Sequence, residues 1–178
     1  MKNKFISKAV SVWVLCAILM AGAYGTVVAA PQSAPLEFAA ISLDGKSVSS
    51  SQLLGKAYIV NFFASWCPPC RAEIPDMVAL QAKYSSKGFT FIGVGYKDTN
   101  PAIRDFTTKM QLNYPVVIAD DKLSAVFSGY TKGEIRAIPT SFVVDSAGRV
   151  IQVITGGVSK EAFEKIIVGA LKKPVRPK

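Results

Sequence analysis

The sequence predicts an α/β sandwich built around a mixed central sheet. Three observations predict it. Short apolar runs alternate with amphipathic helical stretches along most of the chain, the pattern of helices packed on a sheet. The earlier runs are nearly continuous, as strands buried on both faces are. The last two runs are joined by Ser146-Ala147-Gly148 and followed by a helical pattern, which reads as an antiparallel hairpin closed by a helix.

Taken in order, Leu36 to Leu43 reads as an edge strand, an N-terminal extension ending at the Asp44-Gly45 turn. Ser50 or Ser51 caps one helical turn containing Gln52, Leu53 and Leu54. Ala57 to Phe63 follows as a buried strand. Next comes Cys67-Pro68-Pro69-Cys70, opening a helix in which Ile74, Met77, Val78 and Tyr84 share a face and Gly88 marks the end. Phe89 to Val94 is a second buried strand. Asn100-Pro101 starts a helix with asparagine at the cap and proline at the first position, and its apolar stripe is Ile103, Phe106 and Met110. Val116 to Ala119 is a third strand and Leu123 to Phe127 a short helix. Ser141 to Asp145 and Arg149 to Thr155 form the hairpin. Ser159 caps the last helix, whose Ala162, Phe163, Ile166, Ile167, Ala170 and Leu171 stand at helical spacing. The order strand, CxxC, helix, strand, helix, strand, then a proline, a hairpin and a helix resembles the thioredoxin arrangement.

The 178 residues suit one domain with an appendage at the front. Lys2, Lys4 and Lys8 precede the 22-residue apolar run Ala9 to Ala30. Such a segment is a cleavable export signal, with a cut after Ala29 (or after Gly25 or Ala30), or an uncleaved membrane anchor. Either way the lysines favour a cytoplasmic N-terminus and send the domain outward, to the periplasm or the outer face of the membrane. Cys16 follows Leu15, where a lipidation site would want a small residue, so it reads as part of the apolar run. The divisions are thus 1–30 signal or anchor, 31–35 linker, 36–171 domain and 172–178 basic tail. Losing the leader lowers the net charge from +9 to about +6, with Lys172, Lys173, Arg176 and Lys178 holding much of the excess. That dispersed charge is a solvated surface. No basic-aromatic interleaving or binding motif points to nucleic acid.

The exported part has only two cysteines, and the chain has no histidine. A CxxC pair serves zinc sites, structural bridges and redox centres alike. Zinc would need about four ligands, which these residues do not supply, so no metal is expected. A bridge across so small a loop stabilises little. The redox reading has a physical basis: a cysteine at a helix start faces unpaired N–H groups and the positive end of the helix dipole, which favour the attacking thiolate. Cys67 is then the nucleophile and Cys70, one turn in, the resolving thiol. Pro68 and Pro69 fit the first turn and stiffen it.

The segment Val60-Asn61-Phe62-Phe63-Ala64-Ser65-Trp66-Cys67-Pro68-Pro69-Cys70-Arg71-Ala72-Glu73-Ile74-Pro75 resembles the active-site stretch of TlpA/ResA-like proteins. Leu43-Asp44-Gly45-Lys46 and Ile138-Pro139-Thr140-Ser141-Phe142-Val143-Val144-Asp145 extend the resemblance over roughly residues 36–171. It implies a thioredoxin-like fold and an extracytoplasmic thiol–disulfide oxidoreductase needing no cofactor beyond its own disulfide. It also implies a reductive role toward protein clients such as apocytochrome c or copper-site proteins, as in cytochrome c maturation, with electrons from a membrane partner. Trp66, Pro68 and Pro69 would shape the docking surface, and Pro75 would kink the active-site helix. Pro139 would follow a cis bond beside the disulfide, freeing the Ile138 backbone for a client strand. Thioredoxins carry a buried aspartate where this chain has Asn61; Glu73 occupies the position of the glutamate that takes the acid–base role in ResA-like members. The alternative for Glu73 is a solvated glutamate in the first turn of a helix. The helix and strand over about Pro101–Ala119 would be an inserted unit and a candidate partner surface.

Two other functions share the fold. A peroxiredoxin-type thiol peroxidase wants Pro-x-x-x-Thr-x-x-Cys, and this chain has Val60 and Ala64 at those places. A Sco-like copper chaperone needs a remote histidine, and there is none.

Overall fold

The computed structural model describes residues 34–172. The leader or anchor, most of the linker and the basic tail after Lys172 lie outside the described residues. No helix of the described residues is long and apolar enough to cross a membrane.

Five strands form the main sheet: β3 (Ala57–Phe63), β4 (Phe89–Gly95), β5 (Val116–Ile118), β6 (Thr140–Val144) and β7 (Val150–Thr155), in the order β5-β4-β3-β6-β7. β3 pairs parallel to β4 and β4 to β5, while β6 runs antiparallel to both β3 and β7. The mixed sheet is thus the expected one. Every residue of β3 is buried, as its nearly continuous apolar run requires at the centre of a covered sheet, and the one polar member, Asn61, is buried with hydrogen-bond partners.

Alternation along β3 divides the core. Ala57, Ile59 and Phe63 face helix α1 (Pro68–Tyr84), helix α2 (Asn100–Lys109) and helix α4 (Lys160–Leu171), packing on Ile74, Met77, Leu80, Ile103, Phe106, Phe163 and Ile167. Tyr58, Val60 and Phe62 face the other way, toward Leu36, Phe38 and helix α3 (Asp121–Ser128) with its Leu123 and Phe127. On that second face the Phe142 ring packs against Phe62, Phe127 and Tyr130 at centroid distances of 5.5, 4.9 and 6.5 Å. Phe142→Ala should therefore cost about 3–5 kcal/mol in urea unfolding, and a loss below about 1 kcal/mol would show that the layer collapses to fill the gap.

Three expectations are corrected, the smallest being that Ser49, not Ser50 or Ser51, caps the short turn Ser50–Leu53. Leu36 to Leu43 is not one edge strand of the main sheet. Only Ala39–Ile41 (β1) is extended and paired, with Ser47–Ser49 (β2), in a separate two-stranded sheet. Its link to the main sheet is one bridge, Ser42 opposite Val117, with Leu43 N–H donating to Val116 O at 2.7 Å. Leu36 and Phe38 are instead drawn into the second core face, and the Leu36 N–H bonds the Gly148 carbonyl. The cap of α2 is Thr99, whose hydroxyl accepts from Ala102 N–H, so Asn100 is the first helical residue. Proline fits the second position as well, since N–H groups of the first turn have no intrahelical partner. The remaining elements fall within a residue or two of their expected bounds. Ser159 caps α4 by accepting from Ala162 N–H. Asp145 closes the hairpin by accepting from the N–H groups of Ala147 and Arg149 and from the Arg149 guanidinium. Gly148 takes the left-handed φ of +80° that the turn needs.

Candidate active site

β3 ends at Phe63, and four residues later Cys67 caps α1 with extended backbone angles. Pro68 and Pro69 occupy the first two helical positions, where their fixed φ suits a helix start. Cys67 and Cys70 are joined in a disulfide. Because both prolines lack an N–H, the first amide proton of α1 belongs to Cys70. The array of free N–H groups expected around Cys67 is therefore thinner than helix geometry alone implies. Cys70 is fully buried and Cys67 is 3 % exposed. The helix continues through Pro75 to Tyr84, although Pro75 offers no N–H to the Arg71 carbonyl.

Around the pair the surface is apolar and open: Trp66 is 60 % exposed, and Pro68 and Pro69 are exposed too. The Trp66 indole N–H donates to Lys97 O at 3.3 Å. On the other side, the Ile138–Pro139 bond is cis, as expected, and the Ile138 carbonyl oxygen lies 3.7 Å from Cys67 Sγ. In the disulfide that sulfur has no proton, so this is a contact; in the dithiol the same oxygen can accept from Cys67 S–H. Gly156 N–H donates to Pro139 O at 2.8 Å, tying the end of β7 to the proline.

Glu73 lies one turn beyond Cys70 and is 3 % exposed. Its Oε1 accepts from Asn61 Nδ2 at 2.8 Å and its Oε2 from Val158 N–H at 3.0 Å. Burial pushes its carboxyl up to about 7, and the two hydrogen bonds oppose that only in part. The solvated-surface alternative for Glu73 is excluded. Asn61 Nδ2 also donates to Ser141 Oγ at 3.0 Å, while Asn61 Oδ1 is buried without a partner among the described residues. The network follows from register, because Asn61 on β3 stands directly opposite Ser141 on β6. The buried Tyr114 phenol is near enough to feel the Glu73 charge.

All the expected site residues therefore gather at one end of the sheet: Trp66 to Cys70 on the β3–α1 turn, Glu73 behind them, Ile138 and Pro139 alongside. Sequence reasoning missed Ser141 and the Val158 amide. The first was concealed because pairing register is not written in either strand alone. The second has a weak signal in Gly156-Gly157, a flexible pair just after β7. Among the described residues, no group of three or more histidine, cysteine, aspartate or glutamate side chains is placed to hold a metal.

The disulfide lies at a helix N-terminus, at the end of a central strand, and the chain resembles known proteins in sequence and in fold. The Redoxin family model matches residues 29–170. The chain belongs to the Redoxin family. Within it, a thiol-disulfide oxidoreductase ResA of Bacillus cereus is 30% identical over 168 residues, 92% of this chain and 94% of that protein. A ResA of Bacillus thuringiensis (strain Al Hakam) is 36% identical over 136 residues, 76% of this chain and 73% of the relative. The crystal structure of a thiol:disulfide interchange protein of the thioredoxin family from Chlorobium tepidum TLS has a TM-score of 0.76 and 48% identity, covering 80% of this chain and 98% of that one. This Redoxin-family chain has the thioredoxin-like fold and is a thiol–disulfide oxidoreductase, with Cys67–Cys70 as its disulfide.

Proposed function

We propose that the protein reduces protein disulfides outside the cytoplasm, using Cys67 and Cys70 and no other cofactor. The observation that carries this reading is a buried disulfide between an exposed apolar docking face and a buried carboxyl. In the cycle, the Cys67 thiolate attacks one sulfur of a client disulfide. A Cys67–client disulfide forms and the first client thiolate leaves. Glu73 takes the proton from Cys70, whose thiolate attacks Cys67 Sγ. The internal disulfide forms and the second client thiolate departs, so two electrons pass to the client. A dithiol donor at the membrane then restores the pair. Trp66, Pro68 and Pro69 form the docking face, and the Ile138 backbone beside Pro139 pairs with an extended client segment. The basic N-terminal segment and its apolar run support a place in the periplasm or on the extracytoplasmic side of the membrane, where clients include apocytochrome c or copper-site proteins undergoing maturation.

The reduction potential of the pair tests the direction. A value near about −270 mV supports a reductant, and one near about −120 mV makes the protein an oxidant. Alkylation of the reduced protein against pH tests the division of labour. Cys67 should react first, with a pKa below the free value of about 8.5; faster modification of Cys70 at neutral pH would reverse the two roles.

A further inference from the structure

Ser65, two residues before the nucleophile, is held on all its polar atoms. Its N–H and its hydroxyl both donate to Asp98 Oδ2 at 2.7 Å. Its carbonyl accepts from Arg71 Nη1 at 3.0 Å, and the Arg71 guanidinium lies 5.3 Å from the Phe106 ring centroid. The other Asp98 oxygen accepts from Thr99 N–H at 2.7 Å, so the carboxylate is fixed by the cap of α2. Lys97, just before it, adopts φ of +52°, a conformation that non-glycine residues keep only where the surroundings enforce it. That turn aims the Lys97 carbonyl at the Trp66 indole N–H. Strand pairing also persists past β4, since Tyr96 N–H donates to Phe63 O at 2.9 Å. The Lys97-Asp98 turn thus grips the two residues preceding Cys67 at three points.

We propose that Asp98, together with the strained Lys97 backbone, is a positioning element for protein clients: it fixes the exposed Trp66 ring and the Ser65–Cys67 turn in the orientation a client surface meets. This deepens the disulfide-reductase reading and rests on it. Asp98 bonds neither cysteine, so it acts through Ser65 and Trp66. A small disulfide needs access to Cys67 Sγ alone, whereas a folded or extended client must also seat against Trp66. Discrimination between the two is therefore the signature of the brace.

The experiment compares wild type, Asp98→Ala and Asp98→Asn on insulin and on hydroxyethyl disulfide. Asp98→Ala should lower kcat/KM for insulin about tenfold and leave the small disulfide within about twofold, as loss of orientation rather than of the nucleophile predicts. Asp98→Asn should recover most of the insulin rate, because its Oδ1 still accepts from Ser65. Trp66 fluorescence should change in the alanine variant and return in the asparagine one. Equal losses on both substrates, an unaffected insulin rate, or no rescue by asparagine would each overturn the brace. If Asp98→Ala does not fold, Ser65→Ala, which keeps the amide bond and loses the hydroxyl bond, carries the same substrate comparison. A wild type that leaves insulin untouched would refute the reductase reading itself; a variant as active as an active wild type would refute only the brace.

Discussion

Cys70→Ser is expected to leave Cys67 joined to its client through a mixed disulfide that does not resolve. Cys67 is the cysteine next to the exposed Trp66 and opposite the Ile138 carbonyl, whereas Cys70 has no exposed surface. A client sulfur can therefore reach the first and not the second. With serine at 70 no thiolate remains to attack Cys67 Sγ, and turnover should fall by about three orders of magnitude or more. Cys67→Ser should fall as far, but without any trapped adduct, because the accessible nucleophile is gone. Non-reducing electrophoresis after mixing each variant with a disulfide-bonded client separates the two outcomes. Adduct formation by Cys67→Ser, with none by Cys70→Ser, would exchange the roles. The captured protein would also name the client, which no residue of the chain specifies.

Glu73→Gln is expected to remove a pH dependence from both stability and exchange. In the folded oxidised protein burial pushes Glu73 up to about 7 from an ordinary 4.5. Between those two values the folded chain holds a proton that the unfolded chain has released, so unfolding sheds a proton and rising pH favours it. The contribution is fully present below about 4.5 and is lost as pH rises through about 7. Its span is about 3 kcal/mol, at 1.36 kcal/mol per pKa unit. Asp44, Asp98 and Glu164 are held below the usual carboxylate range by their hydrogen-bonding partners. Their effects have the opposite sign and fall at lower pH. Urea unfolding of the oxidised protein at pH 5 and pH 8 isolates Glu73: wild type should lose most of that span, about 2–3 kcal/mol, over this interval, and Glu73→Gln should lose little. Parallel losses in the two proteins would mean that some other group titrates there. In exchange kinetics the variant should also lack the inflection near pH 7, since glutamine can neither take nor give the Cys70 proton.

Asn61 and Asp98 show how far the chain could be read and where reading stopped. That Glu73 shares a helix face with Cys70 is visible in the letters, and the resemblance to thioredoxin-like proteins singles out Asn61. That Asn61 and Glu73 touch is not visible there, since they are 12 residues apart on different elements and meet only when α1 folds back on β3. Ser141 joins them from 80 residues away. Nothing in the letters around Asp98 singles it out, and only the parallel pairing of β3 with β4 carries it to Ser65.

What the sequence by itself determined is local: the span of β3, the helix opened by Pro68 and Pro69, the Ser159 cap, and the pair of cysteines one turn apart. Such features depend on neighbouring residues, through periodicity, fixed φ angles and hydrogen bonds that span three or four positions. The tertiary structure decided the partners of Glu73, the brace on Ser65, the choice of Thr99 over Asn100 as a cap, and the withdrawal of Leu36 and Phe38 from strand pairing into the core. Each is a competition between local options of similar free energy. Burial of apolar area and strand register, which no short window of sequence contains, settled them.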